Sequence, residues 1–278
     1  MPVLGPAAEP VSYEDYMGYL RTTTKLDPAT IADKIARARV ECENYSRRAF
    51  ISQQFDVFLD LPPGSGTENF TSLLARFGGD VPGNITLPYP PLRTVDGVYV
   101  MDSAGVEHTV DPSVYWVSKF NNPARLALRT SAVWPDSGGR VFEVFRARIT
   151  SGYATPFTAD TSTGMLLAPR HGFLDGDQAI VRAGSGTELP DPLAEQAYYV
   201  LFVDGDHVRL AETPGGAPID LTSEGDGKSL LGIPPDGVPS PIRRAILATA
   251  AADFSGKGPM EVPEFAKKWL TAYRKVRL

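Results

Sequence analysis

Three histidines, one cysteine and a set of Asp-Gly pairs are the residues of this sequence whose types and spacing could make bonds or hold ions. His108, His171 and His207 fall in three separate predicted hairpins. None has a second histidine or a cysteine at metal-ligand spacing, so each reads as a surface or turn residue. Asp175-Gly-Asp177, Asp204-Gly-Asp206 and Glu224-Gly-Asp226 offer oxygens of the kind calcium gathers about six to eight at a time. Asp-Gly is also the standard two-residue hairpin turn, and that reading is preferred. Ser65 lies in Pro63-Gly64-Ser65-Gly66-Thr67, which lacks the Gly-Lys-Ser/Thr end of a phosphate loop and the flanks of a nucleophile elbow, and reads as linker. The lone Cys42 excludes an internal disulfide and a cysteine zinc site, and its helical context predicts a small buried hydrophobe. No constellation supports hydrolysis, so the chain is not expected to be an enzyme, and no catalytic residue, metal or cofactor is assigned.

What remains is electrostatic. Residues 263–278 hold Lys267, Lys268, Arg274, Lys275 and Arg277 against Glu264, a local charge of +4 in a chain of net charge -6. Five cations exceed what one helix end needs to complement its dipole. Trp269 and Tyr273 lie one predicted turn apart among them, as interface anchors ringed by charge do. Lys267, Lys268, Trp269, Tyr273, Arg274, Lys275 and Arg277 are therefore the candidate interface, with an acidic partner surface as counterpart. Tyr89, Tyr99, Tyr115 and Trp116 lack the interleaved Lys and Arg of a single-strand stacking platform and read as packing. The overall acidity argues against a protein whose main task is gripping nucleic acid, which depends on cations neutralising phosphate.

These residues must be held by helices at both ends of the chain and strands between them. Ser12 before Tyr13-Glu14-Asp15 marks a helix start, and Asp27-Pro28 marks a clearer one, with an acid at the N-cap and proline where no N–H is needed. Ile31, Ile35, Ala38, Cys42 and Tyr45 then form one apolar stripe at helical spacing, with Ile35 and Ala38 expected at the centre of the packing. From residue 51 the period changes to two, with Phe55, Val57 and Leu59 facing inward. Residues 62–83 read as a loop with one helical turn near Leu73 and Phe77. Strands follow at 85–87, 95–101, 106–110, 114–117, 124–128 and 141–149, the pair around Asp102-Ser103-Ala104-Gly105 making a hairpin. Pro239-Ser240-Pro241 opens a further helix with Ile242, Ala245, Ile246, Thr249 and Ala250 on its apolar face. Pro263-Glu264 opens a last one, expected to run through Tyr273 and Val276.

Composition shifts in the middle. From Phe157 to Gly232 twelve acids face four bases, a local charge of -8, with turn signals at every strand end. Strands are expected at 178–182, 197–203 and 207–210. The expected fold class is α+β: a small helical bundle of N- and C-terminal helices with a small antiparallel β subdomain, and an inserted all-β module. The expected domains are residues 1–154 with 233–278 as the core, and residues 155–232 as the insertion. No segment approaches the roughly 20 apolar residues of a membrane span, and residues 1–10 have neither a basic start nor an apolar stretch, so a cytosolic site of assembly is expected.

Four segments taken in order carry a resemblance: residues 13–21 (YEDYMGYLR), 31–51 (IADKIARARVECENYSRRAFI), 85–102 (ITLPYPPLRTVDGVYVMD) and 239–254 (PSPIRRAILATAAADF). The chain resembles the head-tail connector (adaptor) family of tailed phages, of the siphophage and gene-transfer-agent type, whose pattern is a short helix, a long helix with an arginine-aromatic exit, a proline-flanked strand, a hairpin and a proline-led helix. The acidic module departs from that pattern by filling a gap that a short loop usually spans. The resemblance implies a structural virion protein of the neck, made in the host cytoplasm. It implies a ring of about twelve copies below the portal, with head-to-tail contacts closing the ring. It further implies the portal protein and a tail-completion or stopper protein as partners, and genomic DNA passing through an acidic lumen without specific binding. A rival reading from another class makes the inserted module an appendage that binds a host receptor or glycan through Phe173, Tyr198, Tyr199 and Phe202.

Overall fold

Helix α1 (Tyr13–Leu20) starts because the Ser12 hydroxyl accepts from the Asp15 amide at 3.0 Å while the Asp15 carboxylate accepts from the Ser12 amide at 2.9 Å, a closed capping box. Helix α2 (Pro28–Ser46) starts at Asp27, whose carboxylate takes the Thr30 amide at 2.9 Å with Pro28 next to it. Each helix stops at an arginine in the left-handed region, Arg21 after α1 and Arg47 after α2. The two N-caps are the ones the sequence predicts. The computed structural model describes residues 2–4, 6–60, 84–119, 123–129, 132–140, 142–185, 188–253 and 260–274. The expected helical turn at residues 73–77 and the linker at Ser65 lie outside them.

Helices α3 (Ser240–Ala252) and α4 (Glu264–Leu270) complete an α+β fold with four helices among the described residues. The α2 stripe meets α3: Ile31, Ile35, Ala38 and Cys42 pack with Ile242, Ala245, Ile246 and Ala250 in one core, closed by Tyr16 of α1 and by Ala266 and Leu270 of α4. Ile35 is 3% exposed and Ala38 fully covered, so the expected register is the observed one. Cys42 is buried beside Thr249, and burial pushes its thiol up to about 12. That makes it a packing residue.

The strands fall into three groups. A five-stranded antiparallel sheet runs in the order β1 (Pro2–Leu4), β2 (Gln53–Leu59), β8 (Phe145–Ser151), β4 (Leu92–Met101), β5 (Glu107–Thr109). β4 and β5 pair Tyr99 with Thr109 and Met101 with Glu107 around the expected turn. Asp102 holds that turn by accepting the Ala104 and Val106 amides, both at 2.9 Å. In β4 the pairing shifts register between Val95 and Gly97, and a Cβ at Gly97 would meet the far end of the Tyr99 side chain, which would have to move aside. A three-stranded sheet of β3 (Asn84–Thr86), β7 (Arg125–Leu128) and β6 (Tyr115–Ser118) stands beside it in sequence. In β2 the expected alternation holds only in part. Phe55 is buried, but so is Gln54, whose amide donates to Asp96 at 2.8 Å, and Phe58 is half exposed.

The acidic stretch closes into a six-stranded antiparallel barrel, in the cyclic order β10 (Met165–Leu167), β13 (His207–Ala211), β12 (Ala197–Phe202), β11 (Gln178–Arg182), β14 (Ser229–Gly232), β9 (Ala154–Asp160). It has its own core, with Phe157, Leu166, Val181, Tyr198, Val200 and Val208 among the buried residues. Strands β9, β10 and β14 escape the sequence reading. Pro156 argues against a strand at 154–160, yet β14 pairs with residues 154–157 and β10 with residues 158–160, so the missing N–H falls where β9 is flanked on one side only.

The chain forms two compact units. Residues 2–4 and 53–151 make one, and residues 6–52 with 152–274 make the other. This division differs from the expected one at 154/155 and 232/233: the helices share their unit with the barrel, because Tyr153, Ala154 and Leu230 at the barrel's root pack into the helical core. Among the described residues no helix is long and apolar enough to cross a membrane.

Candidate assembly interface

The cationic segment is built on α4. Pro263 precedes the first turn, and Glu264 reaches along the helix to Lys267 at 2.5 Å, a contact that raises the lysine's pKa above its ordinary value. Ala266 and Leu270 point into the core. Lys268 is exposed, and Phe265 beside it is half exposed. Trp269 is half buried, with the Phe265 ring edge-on at 5.6 Å and the Arg244 guanidinium of α3 5.0 Å from its ring. The expected helix through residue 276 is cut short, because the chain leaves α4 at Leu270 and makes one further turn, closed by the Tyr273 and Arg274 amides on the Leu270 carbonyl at 2.9 and 3.0 Å.

Tyr273 sits in that turn, partly buried against the helical core, and its carbonyl accepts from Arg48 Nε. Arg274 lies 4.8 Å from the Tyr45 ring and the Lys267 ammonium 5.9 Å from it. The structure thus gathers Lys267 and Arg274 around Tyr45, which the sequence reading placed on the α2 stripe, and sets Trp269 against Arg244 of α3. Their types were legible; the packing of α2, α3 and α4 that joins them was not. Lys268 stands apart on the solvent side. Lys275 and Arg277 lie outside the described residues. Removing everything after Met260 would strip Ala266 and Leu270 from the core as well as the cations from the surface, so truncation cannot isolate the charge.

A second charged cluster lies behind α2. Arg39 reaches Glu9 at 2.7 Å and Glu43 at 2.5 Å, and Glu43 also accepts the Phe50 amide at 2.7 Å. Burial raises the Glu9 pKa against the pull of Arg39. Every charge here has a partner, so the cluster fixes the entry and exit of α2.

The histidines occupy three unrelated places. His108 pairs with Asp102 at 2.8 Å in the hairpin turn, and His207 with Asp204 at 3.0 Å. His171 is fully buried, unlike the surface or turn residue expected, because its ring bridges the Asp204 carbonyl at 2.8 Å and the Phe173 amide at 3.0 Å. The second contact makes Nδ1 the acceptor and leaves Nε2 to donate. Among the described residues no group of three or more His, Cys, Asp or Glu is placed to hold a metal ion. The Asp-Gly acids spend their oxygens on local amides: Asp177 on Leu174, Asp204 on Asp206 and His207, Asp226 on Lys228.

The arrangement defines an α+β chain in which a four-helix core and a closed barrel share a unit and a charged aromatic cluster marks the surface. No family model matches the chain, and no curated protein matches it. Among solved structures the fold is similar to a chain in the virion of a native gene transfer agent particle, at 14% identity and a TM-score of 0.52, over 100% of this chain and 96% of that one. It is equally similar to a chain in the neck of an empty gene transfer agent particle computed with C6 symmetry, at 15% identity, a TM-score of 0.52 and the same coverage. At these identities the likeness is one of fold.

Proposed function

We propose that this chain is a structural protein of the neck of a tailed-phage-like particle, an adaptor that works as one copy in a ring below the portal. The supporting observation is that the likeness runs the whole length of the chain, barrel included, and covers nearly all of a neck component. The order of the four adaptor-like segments supports the same reading. In this role the protein positions its neighbours and catalyses nothing. The cluster of Lys267, Lys268, Trp269, Tyr273 and Arg274, with Lys275 and Arg277 beyond it, attaches the ring to an acidic surface of the portal or of the adjoining copy. A tail-completion protein sits below, and genomic DNA passes through the lumen, whose acidity keeps phosphate from sticking.

The test is negative-stain microscopy of the purified protein, alone and mixed with its particle's portal. Rings of about twelve copies, or a ring formed on the portal, are expected. A monodisperse monomer that ignores the portal would overturn the reading.

A further inference from the structure

One end of the barrel is apolar where solvent should favour polar side chains. Leu174 is 68% exposed, Phe202 46% and Val203 40%. They belong together, since the Asp175 carboxylate accepts the Phe202 amide at 3.0 Å and Val203 opens the turn that returns to His207. Around them stand the exposed carboxylates of Asp175, Asp204 and Asp206, with Arg170 and His207 the nearby basic residues. This is an apolar centre with a predominantly acidic rim, the anatomy of a docking patch.

The α4 surface has the complementary design. Phe265 is 50% exposed beside half-buried Trp269, and Lys268 and Arg244 flank them with no ion pair to an acid among the described residues. Within one chain α4 is committed to α3 and α2. A surface that is apolar with cations and another that is apolar with carboxylates, both on every copy, satisfy each other only between copies, and such a contact between unlike patches propagates head to tail.

We propose that the barrel tip of one copy receives the α4 surface of a second copy, with Leu174, Phe202 and Val203 against Phe265 and the carboxylate rim against Lys268 and Arg244. This deepens the ring reading by naming both halves of its contact.

The test uses the full-length protein and exposed positions only. L174K/V203K places cations in the acidic patch, and R244E/K268E reverses the other surface. Each pair alone should lower the population of oligomers in mass photometry at low salt by about tenfold or more, and combining all four changes in one chain should restore them. Circular dichroism checks that each variant keeps its fold. Undiminished oligomers in either pair, or no restoration in the combined variant, would overturn this contact while leaving the ring reading in place. A wild-type protein that stays monomeric alone yet forms a ring on the portal would also remove it and leave that reading intact, whereas a monomer that ignores the portal would remove both.

Discussion

Arg48 Nη1 donates to the Tyr153 hydroxyl at 3.1 Å, joining the exit of α2 to the strand that leads into the barrel. Nε of the same side chain donates to the Tyr273 carbonyl, and its guanidinium lies 6.0 Å from the Tyr273 ring. One arginine, 7% exposed, therefore ties together three segments far apart in sequence.

Replacing Arg48 with methionine keeps the aliphatic stem but leaves the Tyr153 hydroxyl and the Tyr273 carbonyl without their donor. A loss of about 2–3 kcal/mol is expected in urea unfolding followed by tryptophan fluorescence. Lysine should rescue little, because an ammonium on a flexible stem cannot reproduce two donors in a fixed fork. A cost below about 0.5 kcal/mol would show that the three segments hold together without it.

Ile35→Asp removes a side chain from the meeting of α2 and α3 and puts an unpaired carboxylate in its place. Several kcal/mol should be lost, enough to leave the protein largely insoluble, while Ile35→Val should cost about 1 kcal/mol. Chemical denaturation of the valine variant checks the register even when the aspartate variant cannot be purified.

The barrel closes on itself and keeps a core of its own, so residues 153–233 expressed alone should give a cooperative thermal transition and a β-type circular dichroism spectrum. Leu230 also serves the helical core, and the excised piece should be improved by a polar residue there. A molten spectrum would mean that residues 155–232 depend on the helices to fold.

Asp56 of β2 is held by the Arg148 side chain at 2.8 Å and by Arg146 at 3.1 Å, and these hydrogen bonds depress its pKa below the ordinary 3.8. A depressed carboxylate contributes stability that is present above 3.8 and is lost as pH falls through the lower folded value. Asp56→Asn should therefore be less stable than wild type near neutral pH, and the gap should close as pH falls below 3.8 through the lower folded value. A gap that stays constant through that titration would assign the effect to packing.

Much of this fold is legible in the sequence where local chemistry decides the outcome. Ser12 with Asp15, Asp27 with Pro28 and the Ile31-Ile35-Ala38-Cys42 stripe each declare a helix within a few residues, and Asp102 declares its turn. Legibility fails where the deciding partner is distant. The burial of Gln54 depends on Asp96, the strand at Pro156 depends on two different neighbours, and the end of α4 at Leu270 depends on Arg48 catching the carbonyl of Tyr273. The interface residues show the same divide: Lys267, Trp269 and Arg274 announce themselves by charge and type, whereas Tyr45 and Arg244 join them only through helix packing.

The cyclic order of the barrel also decides what another chain could pair with there. An open sheet leaves a row of amides and carbonyls that any passing strand can zip onto, whatever its side chains. With β9 bonded to β14 along residues 154–157 and to β10 along residues 158–160, every barrel strand has a neighbour on each side and no whole strand edge is offered. Contacts with this part of the molecule fall chiefly to side chains and turns, so they can be selective by shape and charge.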